Sequence, residues 1–182
     1  MMRSFALFAV IHIAFATHAQ NYPWGWGPEI YVNQIGTTIT CTAFDPVLDM
    51  TRTQSFTAVS NWIHEDGVVA TVSVVGTVQG IVYDMELGNF SVGQFNSFTG
   101  TTITNSDGVI AWVSTSGTLG AAIYDPFQHQ WRTQQFSSNS GNQLQNRDGV
   151  VSWVSSAGAV GAAVYDPALN VWRPEQFSSN AG

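Results

Sequence analysis

A period of 41 residues governs this chain. The stretches from Asp107 to Gly141 and from Asp148 to Gly182 align without a gap and agree at 21 of 35 positions, including Asp-Gly-Val, Trp-Val-Ser, Gly-Ala-Ala, Tyr-Asp-Pro and Gln-Phe-Ser-Ser-Asn. Self-similarity at this period implies units that each bury apolar faces against their neighbours and cannot fold in isolation. An earlier copy starts at Asp66, again 41 residues before Asp107. An aromatic-Asp pair marks every copy as Phe44-Asp45, Tyr83-Asp84, Tyr124-Asp125 and Tyr165-Asp166, and a Phe follows each Asp by 11 residues, at Phe56, Phe95, Phe136 and Phe177. Four units are therefore expected.

The N-terminus reads as a secretory signal: Arg3, an apolar run from Phe5 to Ala16, then Thr17-His18-Ala19 as a small-x-small cleavage site. The run is too short for an ordinary membrane span. Cleavage after Ala19 leaves residues 20–182 as one repeat-built domain with little room for a second, secreted to an extracellular or periplasmic space. Cys41 is the sole cysteine, so no internal disulfide can form. In an oxidising compartment it is either buried or open to intermolecular pairing, and the alternating segment from Thr38 to Ala43 favours a packed strand position. Without the signal the chain has no lysine and four arginines against twelve acids. A basic footprint is missing, which argues against nucleic acid or an anionic membrane surface as partner.

Within a unit, Gly108 to Ser114 is rich in β-branched and aromatic residues, Thr115-Ser116-Gly117 punctuates it, and Thr118 to Tyr124 is a second apolar run. Two strands joined by a hairpin turn account for this. Asp125-Pro126 opens another turn, and Trp131 to Phe136 reads as a third strand. A weaker segment before each Asp-Gly (Val59 to His64, Thr101 to Asn105, Gln143 to Asn146) should pair across that turn, making four antiparallel strands per unit. No capped 3.6-residue apolar period is present, so the class is all-β. Four-stranded units of this size are those of a β-propeller blade, and a small propeller of four such units is the expected architecture. A β-trefoil, or half of a larger ring completed by dimerisation, are the alternatives. The Gly120-Ala121-Ala122 and Gly161-Ala162-Ala163 steps are expected near the crowded axis.

Tyr-Asp-Pro followed by Trp six residues after the Asp, from Asp125 to Trp131 and from Asp166 to Trp172, resembles the Kelch repeat of β-propellers. The resemblance implies that the aromatic-Asp-Pro turn links two strands of a blade and that Trp131 and Trp172 pack between blades. Phe90 holds the matching place in the second unit and Thr51 in the first. The Kelch glycine doublet is replaced by Thr115-Ser116-Gly117 and Ser156-Ala157-Gly158.

Residues present in every unit are most simply what every unit needs. Asp45, Asp84, Asp125 and Asp166 are read as turn formers, and Asp66, Asp107 and Asp148 as hairpin formers. Binding candidates are the positions that break the repeat: Trp62, His64 and Glu65 before Asp66, and the aromatics Tyr22, Trp24 and Trp26, which lack a strand period. His129 and Arg147 are expected to be solvated loop residues. No nucleophile turn, phosphate-cradling loop or zinc-type spacing is present, so no cofactor or metal is expected. The function this supports is a secreted, non-enzymatic binding module that presents loops and aromatics to a protein or glycan. The alternatives are a carbohydrate-active hydrolase or lyase and a structural subunit of a surface assembly.

Overall fold

The computed structural model describes residues 27–97, 101–137, 141–155 and 158–177. The signal segment and Tyr22, Trp24 and Trp26 lie outside them. Among the described residues fifteen strands form four antiparallel meanders in chain order. Blade 1 holds β1 (Ile30–Ile35), β2 (Thr38–Asp45) and β3 (Met50–Phe56). Blade 2 holds β4 (Val59–Glu65), β5 (Val68–Ser73), β6 (Thr77–Asp84) and β7 (Asn89–Ser97). Blade 3 holds β8 (Thr102–Ser106), β9 (Val109–Val113), β10 (Leu119–Asp125) and β11 (Gln130–Ser137). Blade 4 holds β12 (Gly141–Arg147), β13 (Val150–Ser155), β14 (Val160–Asp166) and β15 (Val171–Phe177). The chain is an all-β propeller of four units. Among the described residues blade 1 has three strands.

Local chemistry places the turns. Asp66, Asp107 and Asp148 take φ of 52°, 49° and 51°, and the glycine after each takes 72° to 74°. Both residues at positive φ make the hairpin turn whose twist matches the flanking strands. The register follows from it, with Ser106 opposite Val109 and Arg147 opposite Val150.

The core is divided into three layers, each between consecutive sheets. Ile30, Ile39, Cys41 and Ala43 of blade 1 pack on Val69, Ile81 and Tyr83 of blade 2. The opposite side of blade 2, with Val68, Val78 and Val82, packs on Ile110, Trp112, Ala122 and Tyr124 of blade 3. Val109, Leu119, Ala121 and Ile123 of blade 3 then pack on Val151, Trp153, Ala163 and Trp172 of blade 4. Interior blades are thus covered on both faces, which is why their strands are apolar runs instead of alternating ones. Cys41 is fully buried and unpaired, and desolvation pushes its thiol up to about 12, which keeps it unreactive.

Trp131 and Trp172 pack between blades, as the aromatic-Asp-Pro pattern implied. The recurrent Phe has an equally definite place, since Phe95 stacks on Trp112 of the next blade at 5.5 Å and Phe136 on Trp153 at 5.4 Å. The small Gly-Ala-Ala steps are not at the axis. They lie on β10 and β14, while β4 and β8, the first strands of their blades, approach each other. Their smallness makes room for tryptophan, because a Cβ on Gly120 would stand 2.6 Å from the Trp112 ring and one on Gly161 2.2 Å from the Trp153 ring.

Candidate functional site

In each four-stranded meander the first and third turns fall at the same end, so the Asp-Gly hairpins and the Asp-Pro-type turns share one face of the molecule. The hairpin tips stand toward the axis. Asn105 Nδ2 donates to Val68 O at 2.9 Å and Glu65 O at 3.3 Å, and Asn146 Nδ2 donates to Val109 O at 2.7 Å. These amides tie each tip to the blade before it. The Asp107 amide donates to Asp66 Oδ2 at 3.1 Å, so the acidic tips form a stair. Desolvation, then the nearby Asp66 and Asp107, raises the Glu65 carboxyl above its ordinary range. Desolvation, then Asp66 and Asp148, does the same to Asp107. The inner end of this face is a crowded set of carboxylates.

The structure brings Trp62, His64 and Glu65 together on β4. Glu65 is at the acidic tip, while Trp62 and His64 share the side of the strand that turns toward blade 1. Trp62 is half-buried against the first core layer and its Nε1 donates to Gln34 Oε1 at 2.6 Å, so it is partly a packing residue. His64 Nε2 is 3.8 Å from Glu29 Oε1. By the repeat His64 occupies the place of Asn105 and Asn146, which gives it a position between blades and not in a loop. Tyr22, Trp24 and Trp26 cannot be related to this cluster, since they lie outside the described residues.

The outer turns carry a second device. Oδ1 of Asp45 accepts from the amides of Val47 and Leu48 at 2.9 and 3.0 Å, and Asp84, Asp125 and Asp166 repeat the pattern. This confirms the turn-forming role. In the first two units the other oxygen reaches across to the next blade, where Tyr83 OH donates to Asp45 Oδ2 at 2.8 Å and Tyr124 OH to Asp84 Oδ2 at 2.5 Å, while Oδ2 of Asp125 and of Asp166 accepts from Arg132 and Arg173 of its own blade. Burial raises the Asp84 carboxyl, but hydrogen bonds from Tyr124 and His129 outweigh it and leave the group below its ordinary value. Asp45 behaves alike through Leu48 and Tyr83. The adjacency of Tyr and Asp in three units is the sequence signal for this link, but it does not say that the two belong to different contacts.

His129 departs from the solvated-loop expectation. It sits at φ 53°, at the left-handed position that Asp49, Gly88 and Asn170 fill in the other turns. From there its Nδ1 lies 2.7 Å from Asp84 Oδ2 and its Nε2 3.4 Å from Glu86 Oε2. The bond to Asp84 raises its pKa. Arg147 is exposed, as expected, with Asp148 at 3.7 Å.

Around these turns lies a feature that the repeat pattern does not announce. Each exposes apolar side chains: Val47 and Leu48 in blade 1, Leu87 in blade 2, Phe127 in blade 3 and Leu169 in blade 4. Phe127 is 88% exposed. The face therefore combines an acidic inner zone with an apolar rim. Among the described residues no group of three or more His, Cys, Asp or Glu side chains is arranged to hold a metal ion, and the Tyr-Asp-His contacts link blades 2 and 3, with the Ser91 side chain also bonded to Tyr124.

No family model and no curated protein matches the chain. Solved structures do. The N-terminal domain of Nup159 is 11% identical with a TM-score of 0.44, over 88% of this chain and 47% of that one. Prp20p from Saccharomyces cerevisiae is 8% identical with a TM-score of 0.43, over 87% and 52%. The WD40 domain of SCAP from fission yeast is 11% identical with a TM-score of 0.38, over 87% and 44%. The chain spans about half the length of these structures. Its assignment as a small all-β propeller stands on its own four sheets and three interblade layers.

Proposed function

We propose that the protein is a secreted, non-enzymatic interaction module with Kelch-like blades, and that it binds a protein partner at the face formed by the Asp-Gly and Asp-Pro-type turns. The observation that carries this reading is the pairing of an apolar side chain on every outer turn with carboxylates at the inner tips. Exposed apolar groups gathered on one face favour association. Raised Glu65 and Asp107 carboxyls are relieved when a cation approaches. The fitting partner is a segment carrying lysine or arginine beside large apolar residues. Glu65 contributes to the inner zone, and Trp62 and His64 support it from β4.

The test is binding of the purified protein to peptide and glycan arrays. Peptides that mix basic and apolar residues should bind, more weakly at high salt. Phe127→Ser should abolish binding with a change in stability within about 0.5 kcal/mol, as for exposed positions generally. Binding to glycans alone, or to peptides regardless of Phe127, would overturn the assignment of partner and face.

A further inference from the structure

The two ends of the blade array are built differently from a capped end. Blade 3 turns Val109, Leu119, Ile123 and Phe136 toward blade 4, where Leu119 is 0% and Ile123 1% exposed. The residues 41 positions later are Val150, Val160, Val164 and Phe177, on the outer side of blade 4. Here Val160 is 44%, Val164 40% and Phe177 54% exposed. The polar edge repeats too: Arg173 pairs with Asp166 at 2.8 Å as Arg132 pairs with Asp125 at 3.4 Å. Blade 4 thus carries on its outer side the interface that blade 3 uses against a neighbour. Among the described residues no apolar layer covers it.

The outer side of blade 1 carries the complementary positions. Phe44 occupies the place of Tyr83, the residue through which blade 2 meets the blade before it, and Phe44, Tyr31 and Ile35 are exposed. Between them lie Thr40 and Thr42, bonded to Ser55 and Thr53. A threonine-bearing surface is compatible with a covered one in this molecule, since Thr71 on the corresponding side of blade 2 is fully buried. Phe44 lacks the hydroxyl that Tyr83 and Tyr124 give to an Asp, and Asp166 already has Arg173.

We propose that two copies of this chain associate head to tail, the outer side of blade 4 of each packing on the outer side of blade 1 of the other, to close an eight-bladed ring with twofold symmetry. Two such contacts form at once, and a heterologous contact that closes after two copies is a cyclic dimer. Area favours this arrangement over a single face-to-face pairing. A four-stranded face with strands of six or seven residues spans roughly 400 Å², at about 4.8 Å between strands and 3.3 Å per residue. Stable pairs bury about 800 Å² per partner. One face falls short, while ring closure uses both ends of each copy. Eight blades lie within the usual range of propellers.

Sedimentation velocity of the purified protein at micromolar concentration tests the proposal. The expected species has twice the chain mass. Phe44→Arg and Val164→Asp, each at an exposed position, should weaken the dimer at least tenfold. Mixing the two variants should restore it, because one junction then carries only native residues and the other sets Arg against Asp. A monomeric wild-type protein overturns the proposal, and so does a dimer that Phe44→Arg leaves intact, since that contact would use blade 4 against itself. Circular dichroism checks each variant for the fold; if Val164→Asp loses it, Val160→Thr replaces it, with a smaller weakening expected.

Discussion

The junction between blades 1 and 2 and the junction between blades 2 and 3 hold neighbouring sheets together with different parts. Between blades 2 and 3, Phe95 stacks on Trp112, Trp131 lies edge-on to Tyr124, and Tyr124 and His129 both engage Asp84. Between blades 1 and 2 there is no tryptophan at the Trp112 position, which Thr71 occupies, yet Tyr83 still reaches Asp45 and Phe90 packs edge-on to Tyr83. The junction between blades 3 and 4 keeps the stack, Phe136 on Trp153, while Asp125 is taken by Arg132 and Tyr165 donates to Asn170. The hydroxyl link and the aromatic stack are thus separable devices. The middle junction has the stack together with a direct Tyr–Asp bond, whereas in the third Arg132 stands between Tyr165 and Asp125.

The largest expected effect that separates them comes from Trp112→Ala. The indole is 3% exposed, and deleting a buried tryptophan costs about 3–5 kcal/mol. Urea denaturation should register this loss, and a cost under about 1 kcal/mol would mean that the stack does not hold blades 2 and 3 together.

Next in size is the hydroxyl link. Tyr83→Phe removes a bond to a buried carboxylate, which is worth about 1.5–3 kcal/mol. Tyr124→Phe should cost less, because His129 still serves Asp84. Equal losses in the two variants would show that His129 compensates at Asp84 no better than the Arg52 charge does at Asp45.

The smallest effect is an alkaline decline in stability that His129 gives to the middle junction, on top of an acid decline that Asp84 shares with Asp45 and Asp166. Asp84 titrates below its ordinary 3.8 in the folded protein, so its contribution is present above that value and fades as pH falls through the folded pKa. His129 is raised above 6.5, so its contribution is complete below 6.5 and is lost as pH rises through the folded value. His129→Asn suits the left-handed backbone, as Asn170 does in blade 4. This change should remove the alkaline decline of the urea midpoint and leave the acid one in place. A decline of the same size in the variant would assign the alkaline effect to another group.

Much of the fold is legible in the chain because it depends on near neighbours. The Asp-Gly tips, the Asp-centred turns and the buried setting of Cys41 each follow from residues within one hairpin. The Gly-Ala-Ala steps elude a local reading for the opposite reason. Glycine at 120 and 161 answers to a tryptophan on the adjacent strand, and nothing in the local pattern separates that demand from crowding at an axis. His129 reads as solvated from the sequence because its partner is 45 positions away, on another blade. His64 leaves a better trace, since the 41-residue alignment sets it against two asparagines that tie hairpin tips together.

Period, strand count and turn geometry were decided by the sequence, since φ preferences and pleat alternation act over a few residues. The second oxygens of Asp45 and Asp84, the Phe–Trp stacking across blades and the uncovered valines of blade 4 were decided only once the sheets were assembled. Equivalent residues share the same local structure in every unit, but their burial depends on whether another sheet stands beside them, and that is a property of the whole array.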